Sequence, residues 1–147
     1  MIKIEGINIS KEKGTQKIPV ESAVVTMTGI EGDAHAGQWH RQISLLGFES
    51  IRKFESKAGF LIDPGAFAEN IILSGLDFSK VKIGDRLKLG NVIIEITQIG
   101  KECHNHACSI SKRVGECLMP KEGVFARVIE PGNIHKDQPV EWISVKV

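Results

Sequence analysis

An excess of charge of either sign is missing from this 147-residue chain: Lys and Arg number 19, Asp and Glu 18, and the formal net charge is +1. That balance removes any general electrostatic case for a nucleic acid or a membrane surface as partner. Proline is scarce at 5 residues, and hydrophobic residues at 41% with charged residues at 25% describe a folded globular protein, which excludes extensive disorder. No apolar run approaches the about 18 residues of a membrane span. The opening MIKIEGINIS lacks the positive segment and apolar stretch of a secretory leader. The expectation is a cytoplasmic protein, and the length suits one domain over residues 1–147.

Cysteine is also sparse, at 3 residues, yet all three fall in GKECHNHACSISKRVGECLMP, residues 100–120, together with two of the 5 histidines. An odd number of cysteines in a reducing compartment points to metal binding or catalysis before disulfides.

Short β-branched runs separated by Gly, Pro and Asn predict a mainly β fold. Ile2, Ile4, Ile7 and Ile9 alternate with a slip at Gly6 that a bulge would absorb. In DRLKLGNVIIEITQI, Leu87 and Leu89 run into Gly90-Asn91, and Val92, Ile94 and Ile96 then share a face, which predicts a hairpin. GVFARVIEPG reads as a strand ended at Pro131-Gly132, Gly84-Asp85 as a turn, and PVEWISVKV as a closing strand. From Phe48 to Ala58 the apolar residues Phe48, Ile51, Phe54 and Ala58 keep helical spacing, with Gly59 as the stop. LIDPGAFAENI follows as an irregular connection. Many short strands with one or two short helices suggest a closed or nearly closed β-barrel, which leaves few exposed strand edges.

Cys103, His104, His106, Cys108 and Cys117 lie within 15 residues, directly after a strand ending near Ile99. Cys103, His106, Cys108 and Cys117 form a soft ligand set for tetrahedral zinc or iron, although their spacing matches no standard finger or ribbon. Alternatively, Lys101, His104 and His106 stabilise a thiolate at Cys103, against the opposing charge of Glu102. Such a thiolate accepts a sulfane sulfur as a persulfide, and Cys108 or Cys117 assists by exchange. The plain alternative is that free cysteines are small buried hydrophobes, a reading that suits Cys117 beside Leu118 and Met119 better than Cys103.

A second constellation is GIEGDAHAGQWHRQISLL. Gly32 would let backbone approach an anion, and Arg41 supplies a bidentate phosphate contact. Asp33 reads as a turn former and His35 as either a turn or a catalytic group. Trp39 reads as either a partly exposed ring for ligand stacking or a plug at the barrel end, with the plug the favoured reading. Glu69 and Asn70 are polar residues among Phe67, Ile71 and Ile72, suited to capping orphan backbone groups or to facing a site. Arg127 lies in an apolar strand, where its charge must meet solvent, a carboxylate or an anion.

In this order, GIEGDAH, RQISLL, PGAFAENI, LSGLDFSKVKIGDRL, IEITQIGKEC and EGVFARVIEPG resemble the MOSC domain, named for the C-terminal domain of molybdenum cofactor sulfurases. The resemblance runs from roughly Gly29 to Val140, and GKECHNHACSI with GECLMPKEGVFARV is most similar to the small standalone bacterial members. It implies a barrel similar to that of pyruvate kinase. It places the family's characteristic cysteine, which carries sulfur to a metal centre or ligates molybdenum, on Cys103. The family's N-terminal motif falls on Gly32, Asp33, His35 and Arg41, its central motif on Glu69 and Asn70, and its late strand on Arg127. The usual Gly-Asp near the C-terminus appears here as Lys136-Asp137.

The function so implied is a sulfur carrier of sulfurtransferase type, in which a Cys103 persulfide delivers sulfur to a molybdenum-pterin centre held through phosphate by Arg41 and Arg127. No pyridoxal phosphate is expected in this chain, so a separate donor such as a cysteine desulfurase must load it. The clients would be a molybdoenzyme or cofactor-biosynthesis proteins. Two alternatives stand beside it: a non-catalytic cofactor-binding module with Cys103 on molybdenum, and a scaffold stabilised by metal bound to Cys and His.

Overall fold

The computed structural model describes residues 1–12, 15–100 and 123–145. The chain begins with β1 (Ile2–Ile9), β2 (Ile18–Val20), β3 (Ser22–Thr26), β4 (Gly29–Ile30) and β5 (Ile43–Gly47). Helix α1 (Phe48–Ala58), β6 (Ile71–Ser74), a 3-10 turn (Phe78–Lys80), β7 (Arg86–Leu89) and β8 (Val92–Ile99) follow. The last strands are β9 (Val124–Glu130), β10 (Gly132–His135) and β11 (Pro139–Ile143).

Among the described residues seven strands, in the order β11-β7-β8-β9-β5-β6-β1, close into a barrel through the pairing of β1 with β11. β2 extends the sheet beyond β1, and β10-β3-β4 form a separate small sheet. The mainly β barrel is thus as the sequence predicts, and closure removes most free edges. β5 and β6 are parallel, which requires a crossover, and α1 supplies it.

The local reasons are legible. The β1 ladder slips between Ile4 and Gly6, so Ile4 and Ile7 both point inward despite the extra residue. The β7–β8 hairpin turns at Gly90-Asn91 and buries Leu87, Leu89, Val92, Ile94 and Ile96. Helix α1 ends at Gly59, whose φ of 84° is left-handed and whose N–H reaches the Glu55 carbonyl. Asp137 takes φ 69°, so the Lys136-Asp137 pair makes the turn before β11 without a glycine there. Gly84-Asp85 is a turn, as predicted, and its carboxylate does more than cap it. Asp85 accepts from Lys82 N (2.9 Å), Val145 N (2.8 Å) and Trp142 Nε1 (3.0 Å). Burial pushes this carboxyl up, and the donors outweigh it, holding Asp85 below its ordinary range.

Among the described residues two apolar clusters result. One fills the barrel with residues such as Ile7, Leu45, Leu73, Ile94 and Ala126. The other lies outside the wall under α1, where Leu46, Ile51, Phe54, Phe67, Ile72 and Phe125 pack, with the Phe54 and Phe67 rings edge to face at 5.2 Å. β5 is therefore buried on both faces, which is why ISLL shows no alternation. No helix among the described residues is long and apolar enough to cross a membrane.

Candidate functional site

β8 and β9 stay paired to the end: Gln98 lies opposite Phe125 and Ile99 opposite Val124. One step further, Gly100 N–H donates to the Gly123 carbonyl at 2.6 Å. This neck is where the chain leaves and rejoins the barrel around the cysteine-bearing segment. Lys101, Cys103, His104, His106, Cys108 and Cys117 lie outside the described residues, and so does the candidate zinc or iron set drawn from them. Among the described residues no three His, Cys, Asp or Glu side chains gather as a metal site.

The described residues at the neck are basic and polar. Gln98 Oε1 accepts from Arg41 Nε at 2.9 Å and lies 2.9 Å from His40 Nε2. Gln98 Nε2 donates to the Gly100 carbonyl at 2.7 Å. The Arg41 guanidinium sits 5.3 Å from the Phe125 ring centroid, a cation–π distance. Thr97 Oγ1 donates to the His40 carbonyl. The next residue, Gln42, explains why Arg41 is held here: its Oε1 accepts from Val128 N (2.8 Å), and its Nε2 donates to Met27 O (3.1 Å) and Gly37 O (2.8 Å).

Two residues along the same outer face of β9, Arg127 meets a carboxylate, one of the fates the sequence left open. Arg127 Nε and Nη2 lie 3.0 and 2.8 Å from Glu95 Oε2, with Arg86 Nε 3.4 Å from Oε1. The Arg127 hydrogen bond, with Arg86 behind it, holds Glu95 below the ordinary carboxylate range. Among the described residues no acceptor meets the Arg41 Nη atoms, whereas Arg127 is engaged.

A row of rings leads from the neck into the molecule. Trp39 stands 6.0 Å from His40 and 6.4 Å from His35, and its Nε1 donates to the His35 carbonyl at 2.8 Å. Trp39 is 38% exposed, which fits the partly exposed ring of the two sequence readings and not the favoured barrel plug; the barrel interior is already filled by aliphatic side chains.

Behind the row lies a buried charged pair. Lys17 is 1% exposed, and its Nζ lies 2.7 Å from Asp33 Oδ1 and 3.2 Å from Ser10 Oγ. Asp33 also accepts from Ser10 N and from His35 N, each at 3.1 Å, the second being the turn its sequence suggested. His35 Nδ1 is 3.9 Å from Asp33 Oδ2. Burial alone would raise Asp33, and Lys17 with the two backbone donors outweighs it, leaving the carboxyl below its ordinary value. Glu69 goes the other way: burial raises it despite N–H donors from Gly65 (2.9 Å) and Phe67 (3.0 Å). Asn70 Oδ1 accepts from Ser44 N and its Nδ2 donates to the Asn8 carbonyl, both at 3.0 Å, which ties β5 and β1 to the start of β6.

The structure therefore brings Arg41 to the neck and sets Asp33, Glu69 and Asn70 into buried hydrogen-bond networks. Gly32 turns the chain at φ 84° with open space where a side chain would begin. Sequence reasoning missed Lys17, Gln98 and Glu95. Glu95 had a signal, a lone charge in an apolar strand, whereas Lys17 in KEKGTQK reads as solvated. Gly65 seals the network: a Cβ there would stand 2.1 Å from the Lys17 carbonyl oxygen, at φ 87°. Gly65→Ala is accordingly expected to lose more than about 1 kcal/mol, seen as a lower urea midpoint at unchanged slope.

The MOSC domain profile matches residues 32–141. Protein YiiM of Escherichia coli strain K12 is 30% identical over 156 residues, covering 97% of this chain and 69% of YiiM. The uncharacterized protein YflK of Bacillus subtilis is 25% identical over 146 residues, covering 90% of this chain and 64% of YflK. The chain thus spans about two thirds of the length of these curated relatives. The crystal structure of the YuaD protein from Bacillus subtilis superposes with a TM-score of 0.78 at 21% identity, covering 99% of this chain and 98% of YuaD, which bears on the fold alone. Barrel, motif order and profile together place the chain in the MOSC domain family, a family associated with molybdenum cofactor-related functions.

Proposed function

We propose that this protein is a sulfur carrier acting on the molybdenum-pterin cofactor as its substrate, with Cys103 as the carrying residue. The observation that supports this most is the Arg41 guanidinium. Its Nε is fixed by Gln98, and its Nη edge meets no described acceptor, beside the neck from which the cysteine-bearing segment departs. A guanidinium so held suits a phosphate, and the cofactor's phosphate is the anion that the family association brings to mind. Arg127 would join it after exchanging its hold on Glu95.

The chemistry balances without a redox cofactor. The Cys103 thiolate attacks the outer sulfur of a donor persulfide, forming the Cys103 persulfide and releasing the donor as a thiolate. A second thiol, Cys108 or Cys117, then attacks the inner sulfur. The outer sulfur leaves as hydrosulfide for the metal, and the two cysteines become a disulfide, which an external thiol must reduce before the next cycle. Donor and reductant are separate partners, as are the client molybdoenzyme or cofactor-assembly proteins.

The same Arg41 arrangement serves a module that retains the cofactor with Cys103 on the metal. The readings share the anion site and differ at the cysteine. Phosphate affinity tests the shared part: Arg41→Ala should weaken it by roughly tenfold to a hundredfold, the worth of a charged hydrogen bond. Unchanged affinity in a calorimetric titration would remove Arg41 from the site.

A further inference from the structure

We infer that Glu95 is a specificity-determining residue of the anion site: it competes with a bound anion for Arg127, and so favours a terminal phosphate over a diphosphate. The inference rests on the Arg41 reading proposed above. β8 is the middle of three strands here, and Glu95 stands opposite Arg86 of β7 on one side and opposite Arg127 of β9 on the other. Cross-strand neighbours of opposite charge lie within reach of each other, and both arginines close on the one carboxylate. Arg127 donates to Oε2 from Nε (3.0 Å) and Nη2 (2.8 Å), and Arg86 Nε lies 3.4 Å from Oε1. The Glu95 side chain is 20% exposed against 45% for Arg86 and 53% for Arg127, so the carboxylate is the sheltered member of the three. Arg127 and then Arg86 hold its carboxyl below the ordinary range, which keeps it an anion at neutral pH.

Arg41 and Arg127 serve the same face of the sheet. The Arg41 guanidinium lies 5.3 Å from the ring centroid of Phe125, which packs outside the barrel, whereas the next residue, Ala126, packs inside it. Arg127 comes two residues after Phe125 on that outer face, about 7 Å along the strand. A second phosphoryl group attached to an anion on Arg41 therefore falls within the span of Arg127. There it meets Glu95 as well. To accept from Arg127 it must replace two charge-assisted hydrogen bonds, and Arg86 keeps the displaced carboxylate close by, where like charge repels the newcomer. A lone phosphate takes its hydrogen bonds from the Nη edge of Arg41 and faces far less of that competition.

The test uses the full chain, reduced, in metal-free buffer of fixed ionic strength, with inorganic phosphate and pyrophosphate as the probes. Calorimetric titration gives both affinities, and their ratio is the readout. Loss of a merely structural ion pair would leave that ratio where it was. Glu95→Gln removes the competing charge, and should raise the preference for pyrophosphate over phosphate by at least about tenfold, the lower end of what one charged hydrogen bond is worth. Glu95→Thr should do the same, and it carries the test if the glutamine variant fails to melt cooperatively. In the double variant Glu95→Gln with Arg127→Gln the gain should vanish, because the arginine that was set free is gone. An unchanged ratio in the folded Glu95 variants overturns the inference, and so does a gain that survives in the double variant. Failure of the anion site itself looks different: Arg41→Ala then binds phosphate as the wild type does. Where Arg41→Ala weakens phosphate and Glu95→Gln leaves the ratio alone, the anion site stands and only the role of Glu95 falls.

Discussion

Asp33→Ala is expected to cost about 3–5 kcal/mol of folding stability, the usual penalty for removing one partner of a buried ion pair. The side chains of Lys17 and Asp33 are both fully buried, and Ser10 Oγ, 3.2 Å from the ammonium, would be left as its hydrogen-bond partner among the described residues. The ammonium would be left uncompensated, and the N–H groups of Ser10 and His35 would lose their acceptor. Against a typical total of about 5–15 kcal/mol, such a loss threatens folding at physiological temperature. Adding Lys17→Met should recover part of it, because the buried charge is then gone and only the unpaired N–H groups remain. Urea unfolding of the two variants and the wild type measures both steps.

The pH dependence carries the sign of each group. Asp33 lies below its ordinary value of 3.8 in the folded state, so its contribution is present above that value and is lost as pH falls through the depressed folded pKa. The gap between wild type and Asp33→Ala should therefore hold steady at neutral pH and narrow in acid below 3.8. Glu69 acts oppositely. Its folded pKa is raised above the ordinary 4.5, so its contribution is present below 4.5 and is lost as pH rises through the raised value.

The second large effect concerns chemistry. Cys103→Ser should reduce cyanide-releasable sulfur to background after incubation with a persulfide donor, because a serine hydroxyl does not form the sulfur–sulfur bond. Cys108→Ser or Cys117→Ser, whichever removes the second thiol, should load normally and fail to release hydrosulfide. A metal scaffold behaves otherwise: each of the three substitutions would release zinc or iron and cost stability comparably.

Much of the fold was legible because its signals are local. Helical spacing from Phe48 to Ala58, the Gly90-Asn91 turn and the slip at Gly6 are each written within a dozen residues, and the structure follows them. Barrel closure is not local: β1 meets β11 only when the whole order is in place. β5 and β6 hid for a different reason, since burial on both faces erases the alternation that marks a strand.

The site divides in the same way. Arg41 and the Asp33 turn were visible from residue type and glycine context. Lys17 was not, because a lysine becomes a buried ion only once Asp33, 16 positions away, is folded against it. Gln98 was hidden too, since a glutamine at a strand end carries no signal until Arg41, 57 positions earlier, lands on its amide.

The measurement that bears most directly on the proposed function is native mass spectrometry of the anaerobically purified chain, before and after a thiol reductant, beside Cys103→Ser. A sulfur carrier shows an increment of one sulfur atom that the reductant removes and the variant lacks. An increment matching zinc or iron, resistant to the reductant and lost on chelation, would contradict it and make the cysteines and histidines a metal site.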